Sequence, residues 1–274
     1  MSAGNTARTR HASRVTRHSP SAFTIVELLT VIAIIAILAA ILLPVLAKAK
    51  ITAQKKQAAV EISQIVGAIQ QYDSVYGRFP VTANDQALAG TNDFTCGGTN
   101  YAVDGITPLW AMGVTNNAEV MAILMDITNT ALTSANWNHQ KNPQQTIFLN
   151  AKQVSDPALP GVGPDLVYRD PWGSPYIISM DLNYDEQCSD AFYSLQRVSQ
   201  NPPLPAGYVQ TGFNGLFNPN LNAGSQPQKD DFLYHGKVMV WSAGPDRKID
   251  MTLDPNIPTP ADQGLNRDNV LSWQ

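Results

Sequence analysis

The chain of 274 residues holds only two cysteines, Cys96 and Cys188. That scarcity excludes a disulfide-stapled scaffold and every multi-cysteine metal cluster. One bond, Cys96 to Cys188, is available if the chain is exported, and two separated buried thiols are the alternative. Charged residues are scarce as well, at 15% of the chain. No basic stripe of the kind that tracks nucleic acid appears, so no nucleic-acid partner is expected. Catalytic signatures are missing too. His139 and His235 are the only histidines after residue 22. No nucleophile motif, zinc-ligand spacing or phosphate-cradling glycine loop surrounds them. Scattered aspartates do not by themselves nominate a hydrolytic pair. The chain is not expected to be an enzyme.

Two further absences are positional. No Asp or Glu precedes Glu27, whereas Arg8, Arg10, Arg14 and Arg17 all lie within the first 22 residues. Without those four arginines, Lys+Arg falls to 14 against 22 Asp+Glu, a net charge of −8. Residues 28–47 carry no charged side chain at all. A helix over that run, at about 1.5 Å per residue, spans a hydrocarbon core of roughly 30 Å. The arginine-rich flank belongs in the cytosol by the positive-inside rule, which delivers everything after Lys48 to the other face. An ordinary secretory signal would have a shorter apolar run closed by a small-residue cleavage site.

Beyond the uncharged run the helical pattern continues. In "KAKITAQKKQAAVEISQIVGAIQQYDSVYGRFP", residues Val60, Ile62, Ile65, Val66, Ile69, Tyr72 and Tyr76 recur at mixed three- and four-residue steps, an amphipathic pattern. Gly77 and Pro80 supply its stop signals. One helix is therefore predicted from near Phe23 to about Tyr76, on the order of 80 Å long.

The stretch "AFTIVELLTVIAIIAILAAILLPVLAKAK" resembles the N-terminal signature of type IV pilins and type II secretion pseudopilins. The resemblance implies cleavage by a prepilin peptidase between Ala22 and Phe23, and then N-methylation of Phe23. The family nearly always has Gly before the cut, and this chain has Ala22, the smallest replacement. It also implies that Glu27 of one subunit pairs with the new amino terminus of a neighbour's Phe23 and sets the axial register of a filament. A carboxylate simply lying in the headgroup layer is the alternative for Glu27. Pro44 matches the family proline in spacing. It lacks an amide N–H and crowds the carbonyl of Ala40, so a bend or local loosening is expected there, either for filament packing or as a tolerated kink.

Beyond the helix, "YRDPWGSPYIISMDLN" predicts a tight turn at Pro171 and Gly173, with Trp172 packed under it, and a strand over 176–182. "HGKVMVWSAGPDRKID" predicts a second strand with Val238 and Val240 on one face and Met239 and Trp241 on the other, ended by Gly244-Pro245. With "YGRFP", these segments resemble landmarks of the major type II pseudopilin, in which a sheet packs on the helix and a C-terminal loop binds calcium. The last stretch offers Asp246, Asp250, Asp254, Asp262, Asp268, Asn266 and Asn269, with no EF-hand spacing. By that resemblance Asp246 and Asp268 would be ligands to Ca2+ and Asp250 a third. A charged loop without an ion is the alternative. Arg247 stands where the family often has Gly. Residues from about 84 to 165 and from 199 to 230 exceed the family's usual form, and 201–228 reads as a long surface loop.

The expected fold class is α+β and pilin-like: a long N-terminal helix, apolar then amphipathic, packed on a small antiparallel β-sheet with long loops. The expected divisions are a basic leader (1–22), a membrane and filament-core helix (23–50), its amphipathic continuation (51–77) and an exported globular domain (78–274). The expected function is a structural subunit of a type IV pilus-like or type II pseudopilus filament. A minor pilin, an exported adhesion or binding module at a filament tip, is the alternative. The expected partners are copies of itself, other pilins or pseudopilins, prepilin peptidase and an inner-membrane assembly platform. The expected location is the inner membrane with the N-terminus cytoplasmic and the C-terminal domain periplasmic, then a periplasmic or extracellular filament.

Overall fold

A computed structural model of the chain describes residues 23–90, 92–97, 116–128, 135–203, 209–220, 230–250 and 259–274. Its first element is α1, Ile25–Tyr76, 52 residues without a break. The chain divides at Ala49–Lys50 into two compact units, so α1 contributes to both. The helix continues through Pro44, where the missing N–H leaves the Ala40 carbonyl without its usual intrahelical donor. It ends at Gly77, which takes a left-handed φ of 63° and donates its N–H to the Asp73 carbonyl. That is the terminus predicted from sequence.

Within α1 the buried positions are Ala58, Ile62, Ile65, Ala68, Ile69 and Tyr72, spaced to form one stripe. Val60, expected on that stripe, is 57% exposed. It lies two residues from Ile62, about 200° around the helix, so its side chain points away from the core.

The stripe packs on a four-stranded antiparallel sheet ordered β1-β4-β7-β8, built from β1 (Phe94–Cys96), β4 (Ile177–Met180), β7 (Val238–Ser242) and β8 (Val270–Leu271). Both strands read from the sequence are present, and their side chains alternate as period two requires. Ile178, Met180, Val238 and Val240 join Ile62, Ile65, Ile69 and Tyr72 in one apolar core. Ile177, Met239 and Trp241 face the opposite way and join Phe192, Tyr193, Phe232 and Trp273 in a second. Burying each such side chain contributes about 1.5–3 kcal/mol. Two-stranded pairs accompany the sheet: β2 (Gly161–Val162) with β3 (Tyr168–Arg169), and β5 (Gln187–Ser189) with β6 (Leu233–His235).

The segments in excess of the family pattern are partly core. Helix α2 (Ala83–Ala89) opens with a capping box in which Thr82 and Asp85 bond each other's backbone N–H. Helix α3 (Ala118–Leu124) has Val120, Met121, Ile123 and Leu124 in the core that faces α1. Past α4 (Gln196–Ser199), the stretch expected to be all surface loop buries Leu216 and Asn218, and bridges join Gln200 to Gly212 and Phe217 to Leu233. The expectation of a wholly exposed 201–228 is corrected for these residues: a buried apolar side chain and backbone pairing hold them in place.

Buried carboxylates organise the turns. Asp170 is fully buried and accepts hydrogen bonds from the N–H groups of Trp172 and Ser174 and from Ser242 Oγ at 2.5 Å, closing the predicted D-P-W-G turn against β7. Asp190, equally buried, accepts from Ser179 Oγ and Trp241 Nε1. The turn also meets the helix, because Gln54 Nε2 donates to the Pro171 carbonyl and Tyr176 donates its hydroxyl to Glu61 at 2.6 Å.

Cys96 and Cys188 are both free and buried. The bond that an exported chain could have made is absent for a topological reason. Cys96 pairs with Ile178 on the face toward α1, whereas Cys188 lies in the core on the other side of the sheet. Burial raises both thiols above their ordinary range. Intact-mass analysis should therefore show two free thiols, alkylated by iodoacetamide only after denaturation. A mass two daltons lower, restored by reductant, would overturn this arrangement.

Burial also pushes the Asp170 carboxyl up to about 6 and, with the charges of Asp181 and Asp185, the Asp93 carboxyl up to about 7, from an ordinary 3.8. Between the ordinary value and these raised ones the folded chain binds more protons than the unfolded one, so stability rises as pH falls. Asp165, held low by the Arg169 guanidinium, acts oppositely and loses its contribution only in stronger acid. Thermal melts should give a higher Tm at pH 5.5 than at pH 7.5, with the difference reduced in Asp170→Asn. A Tm that falls steadily from pH 7.5 to 5.5 would refute the assignment. Asp170→Ala should destabilise at both pH values, by about 1–3 kcal/mol for each of the three donors it orphans.

Candidate functional site: the head of helix α1

From Phe23 to Leu46 every large apolar side chain of the first unit is exposed, Phe23 by 80% and Leu46 by 68%. Ile, Leu and Val occupy all sides of this segment, so rotating the helix cannot hide them. A helix that is apolar all round is stable only inside a membrane or a packed assembly. By length and composition α1 can cross a membrane.

At the head of this cylinder sits the charged exception. Glu27 Oε2 accepts from the Thr24 N–H at 2.9 Å and from Thr24 Oγ1 at 2.8 Å, and Thr24 Oγ1 in turn accepts from the Glu27 N–H at 3.2 Å. Thr24 and Glu27 thus form a reciprocal capping box at the first turn. A carboxylate there also complements the positive end of the helix dipole. The resemblance gives Glu27 a partner only on a neighbouring subunit, and the structure adds one within its own chain. The signal is present in "TIVE", the T-x-x-E spacing that precedes an apolar run. Among the described residues no hydrogen bond reaches Glu27 Oε1, which leaves one carboxylate oxygen for an outside donor. Ala22 and the rest of the leader lie outside the described residues.

The second candidate, the C-terminal loop, comes together only in part. Asp246 donates its N–H to the Asp268 carboxylate at 3.3 Å, and its own Oδ1 accepts from the Lys248 N–H. Burial and then the charge of Asp246 raise the Asp268 carboxyl above its ordinary range. Asp250 is held elsewhere: its N–H donates to Asn266 Oδ1, and Asn266 Nδ2 donates to the carbonyls of Asp250 and Thr259. Among the described residues no group of three or more His, Cys, Asp or Glu could hold a metal ion. Asp246 and Asp268 meet, Asp250 is turned toward Asn266, and Asp254 lies outside the described residues. Two local features shape the loop. Gly244 has φ 72°, and a Cβ there would come within 2.2 Å of the Asp268 carbonyl oxygen. Arg247 adopts a left-handed φ of 59°, and its Nε donates to Ser174 Oγ at the D-P-W-G turn.

Residues 17–43 match the family described as the prokaryotic N-terminal methylation motif. No curated protein and no solved structure matches the chain. The match begins at Arg17, the last arginine of the basic flank, covers Phe23, Glu27 and most of the charge-free run, and stops short of Pro44 and the globular domain. An apolar helix headed by this motif fits a membrane-anchored precursor and points to a structural subunit rather than an enzyme. The chain carries, at the head of α1, the signature of the type IV pilins and pseudopilins.

Proposed function

We propose that the chain is the precursor of a filament subunit of the type IV pilus-like or type II pseudopilus kind. Prepilin peptidase cuts between Ala22 and Phe23, Phe23 is N-methylated, and the mature subunit polymerises through α1. The observation that carries this reading is the methylation motif lying on a helix whose apolar surface is uncovered on every side. Before assembly the bilayer shields that surface, with the arginine-rich leader in the cytosol and the globular domain on the opposite face. In the filament, neighbouring copies of α1 or of other pilins shield it instead, drawn from an inner-membrane assembly platform.

The capping box supports a specific order of events. Thr24 holds Glu27 through Oε2 at the helix head, one residue from the amine that cleavage creates on Phe23. The open Oε1 is then positioned to accept from the new amine of a neighbouring subunit, so that one carboxylate caps its own helix and fixes the register of the next.

Mass spectrometry of the protein from its host should find a mature N-terminus at methylated Phe23. Recovery of intact Met1 protein as the sole stable membrane species would overturn the processing step. Glu27→Gln should insert and be cleaved but yield at least tenfold fewer filaments. Thr24→Val, which keeps the carboxylate and removes its hydroxyl clamp, should fall between that variant and the parent. Filament yields unchanged in both variants would show that the head of α1 sets no register.

A further inference from the structure

The uncharged run of residues 28–47 is followed by four lysines and no acid. Lys48, Lys50, Lys55 and Lys56 are the only charged residues between Glu27 and Glu61. Neither the capping box at the head of α1 nor the core of the globular unit accounts for them. Lys50, Lys55 and Lys56 belong to the second unit and stand on the unbroken helix α1. At about 100° per residue, the three are separated by roughly 140°, 100° and 120° around the helix axis. They form a collar, not a stripe. A stripe suits one partner lying along one face, whereas a collar suits a medium that surrounds the helix.

Lys50 and Lys56 are exposed, and among the described residues no ion pair engages either. Lys55 is half-buried and has an acidic neighbour: burial and the charge of Asp246 raise the Asp268 carboxyl against the opposing charge of Lys55. Helical side chains lean toward the N-terminus, so all three lysines lean toward the apolar end of α1. Their aliphatic stems can lie on apolar surface while the ammonium groups stay in a polar layer. That apolar surface is at hand. Leu43, Val45 and Leu46, just before the collar, are each about three-fifths exposed or more, and Ile51 within it is exposed as well. A soluble anion would answer the lysines and leave these apolar side chains in water. So would the acidic surface of a second copy. A phosphate on two acyl chains answers both, and an anionic membrane surface attracts each lysine near it.

We propose that Lys50, Lys55 and Lys56 bind the phosphate headgroups of anionic phospholipids in the leaflet where α1 leaves the bilayer. The inference rests on the reading in which a bilayer shields α1 before assembly, and it goes beyond that reading by naming the lipid class and the residues that select it.

The test uses the full chain in nonionic detergent, mixed with equal amounts of phosphatidylglycerol and phosphatidylcholine of the same acyl chains. Native mass spectrometry counts the lipids retained. In parallel, flotation with phosphatidylcholine vesicles reports membrane anchoring itself. The parent should float and should retain phosphatidylglycerol preferentially. Each lysine near an anionic surface is worth about a fivefold preference, so Lys50→Gln combined with Lys56→Gln should lower the selectivity at least tenfold, at an unchanged Tm. Lys50→Arg combined with Lys56→Arg should keep it. Lys55→Gln alone should lower it about fivefold and decides the matter if the double glutamine variant fails to fold. The proposal is overturned if the parent shows no preference, or if excess glycerol phosphate displaces the lipid. It is overturned too if the glutamine variants keep the parent's preference, which would assign that preference to the arginines of the leader. Loss of self-association in those variants with lipid retention unchanged would assign the collar to a second copy and also overturn it. A parent that does not float removes the membrane reading and the proposal together, whereas one that floats without selectivity removes the proposal alone.

Discussion

The uncovered apolar cylinder at the start of α1 is the constraint on which the rest of this protein depends. Water cannot accept it, and no rotation of the helix hides it, because the apolar side chains occupy every side. The chain must therefore live in a bilayer or in contact with other apolar helices. Everything polar near the helix head is arranged around that necessity. The leader carries four arginines, residues 28–47 carry no charge, and Glu27 caps its own helix through Thr24.

The same helix changes character without interruption in its C-terminal half. From Ala58 onward its buried residues narrow to a single stripe, which is all that one face of a four-stranded sheet can cover. The sheet in turn has a second apolar face, and the chain spends much of its remaining length covering it. Trp241 and Trp273 fill that second core, and the buried carboxylate of Asp190 ties Trp241 to Ser179. A sheet with two dry faces puts its turns under strict hydrogen-bonding demands, because any buried N–H without a partner is expensive. Asp170 and Asp190 meet those demands with short carboxylate side chains, and burial of Asp170 shifts the domain's stability toward mild acid.

In the acidic C-terminal loop, local hydrogen bonds set where each carboxylate stands. Asp246 and Asp268 meet, yet Asp250 is turned toward Asn266 by a pair of reciprocal hydrogen bonds.

Local pattern alone settles the anchor, the extent of α1, its amphipathic half and the two strands bounded by D-P-W-G and S-A-G-P-D. These depend on properties of neighbouring residues: an uncharged run, a helical or alternating period, a glycine able to take positive φ. Even the Thr24–Glu27 box is legible as T-x-x-E. Long-range packing was needed to decide which inserted segments are core, as with Met121 and Leu216, and where the two cysteines stand. Cys96 and Cys188 are 92 positions apart in the chain; the pairing of β1 with β4 sets Cys96 in the core toward α1, and the pairing of β5 with β6 carries Cys188 into the core on the other side of the sheet. That separation comes from strand order and register, which arise from contacts between distant segments and leave no mark on the local pattern of either one.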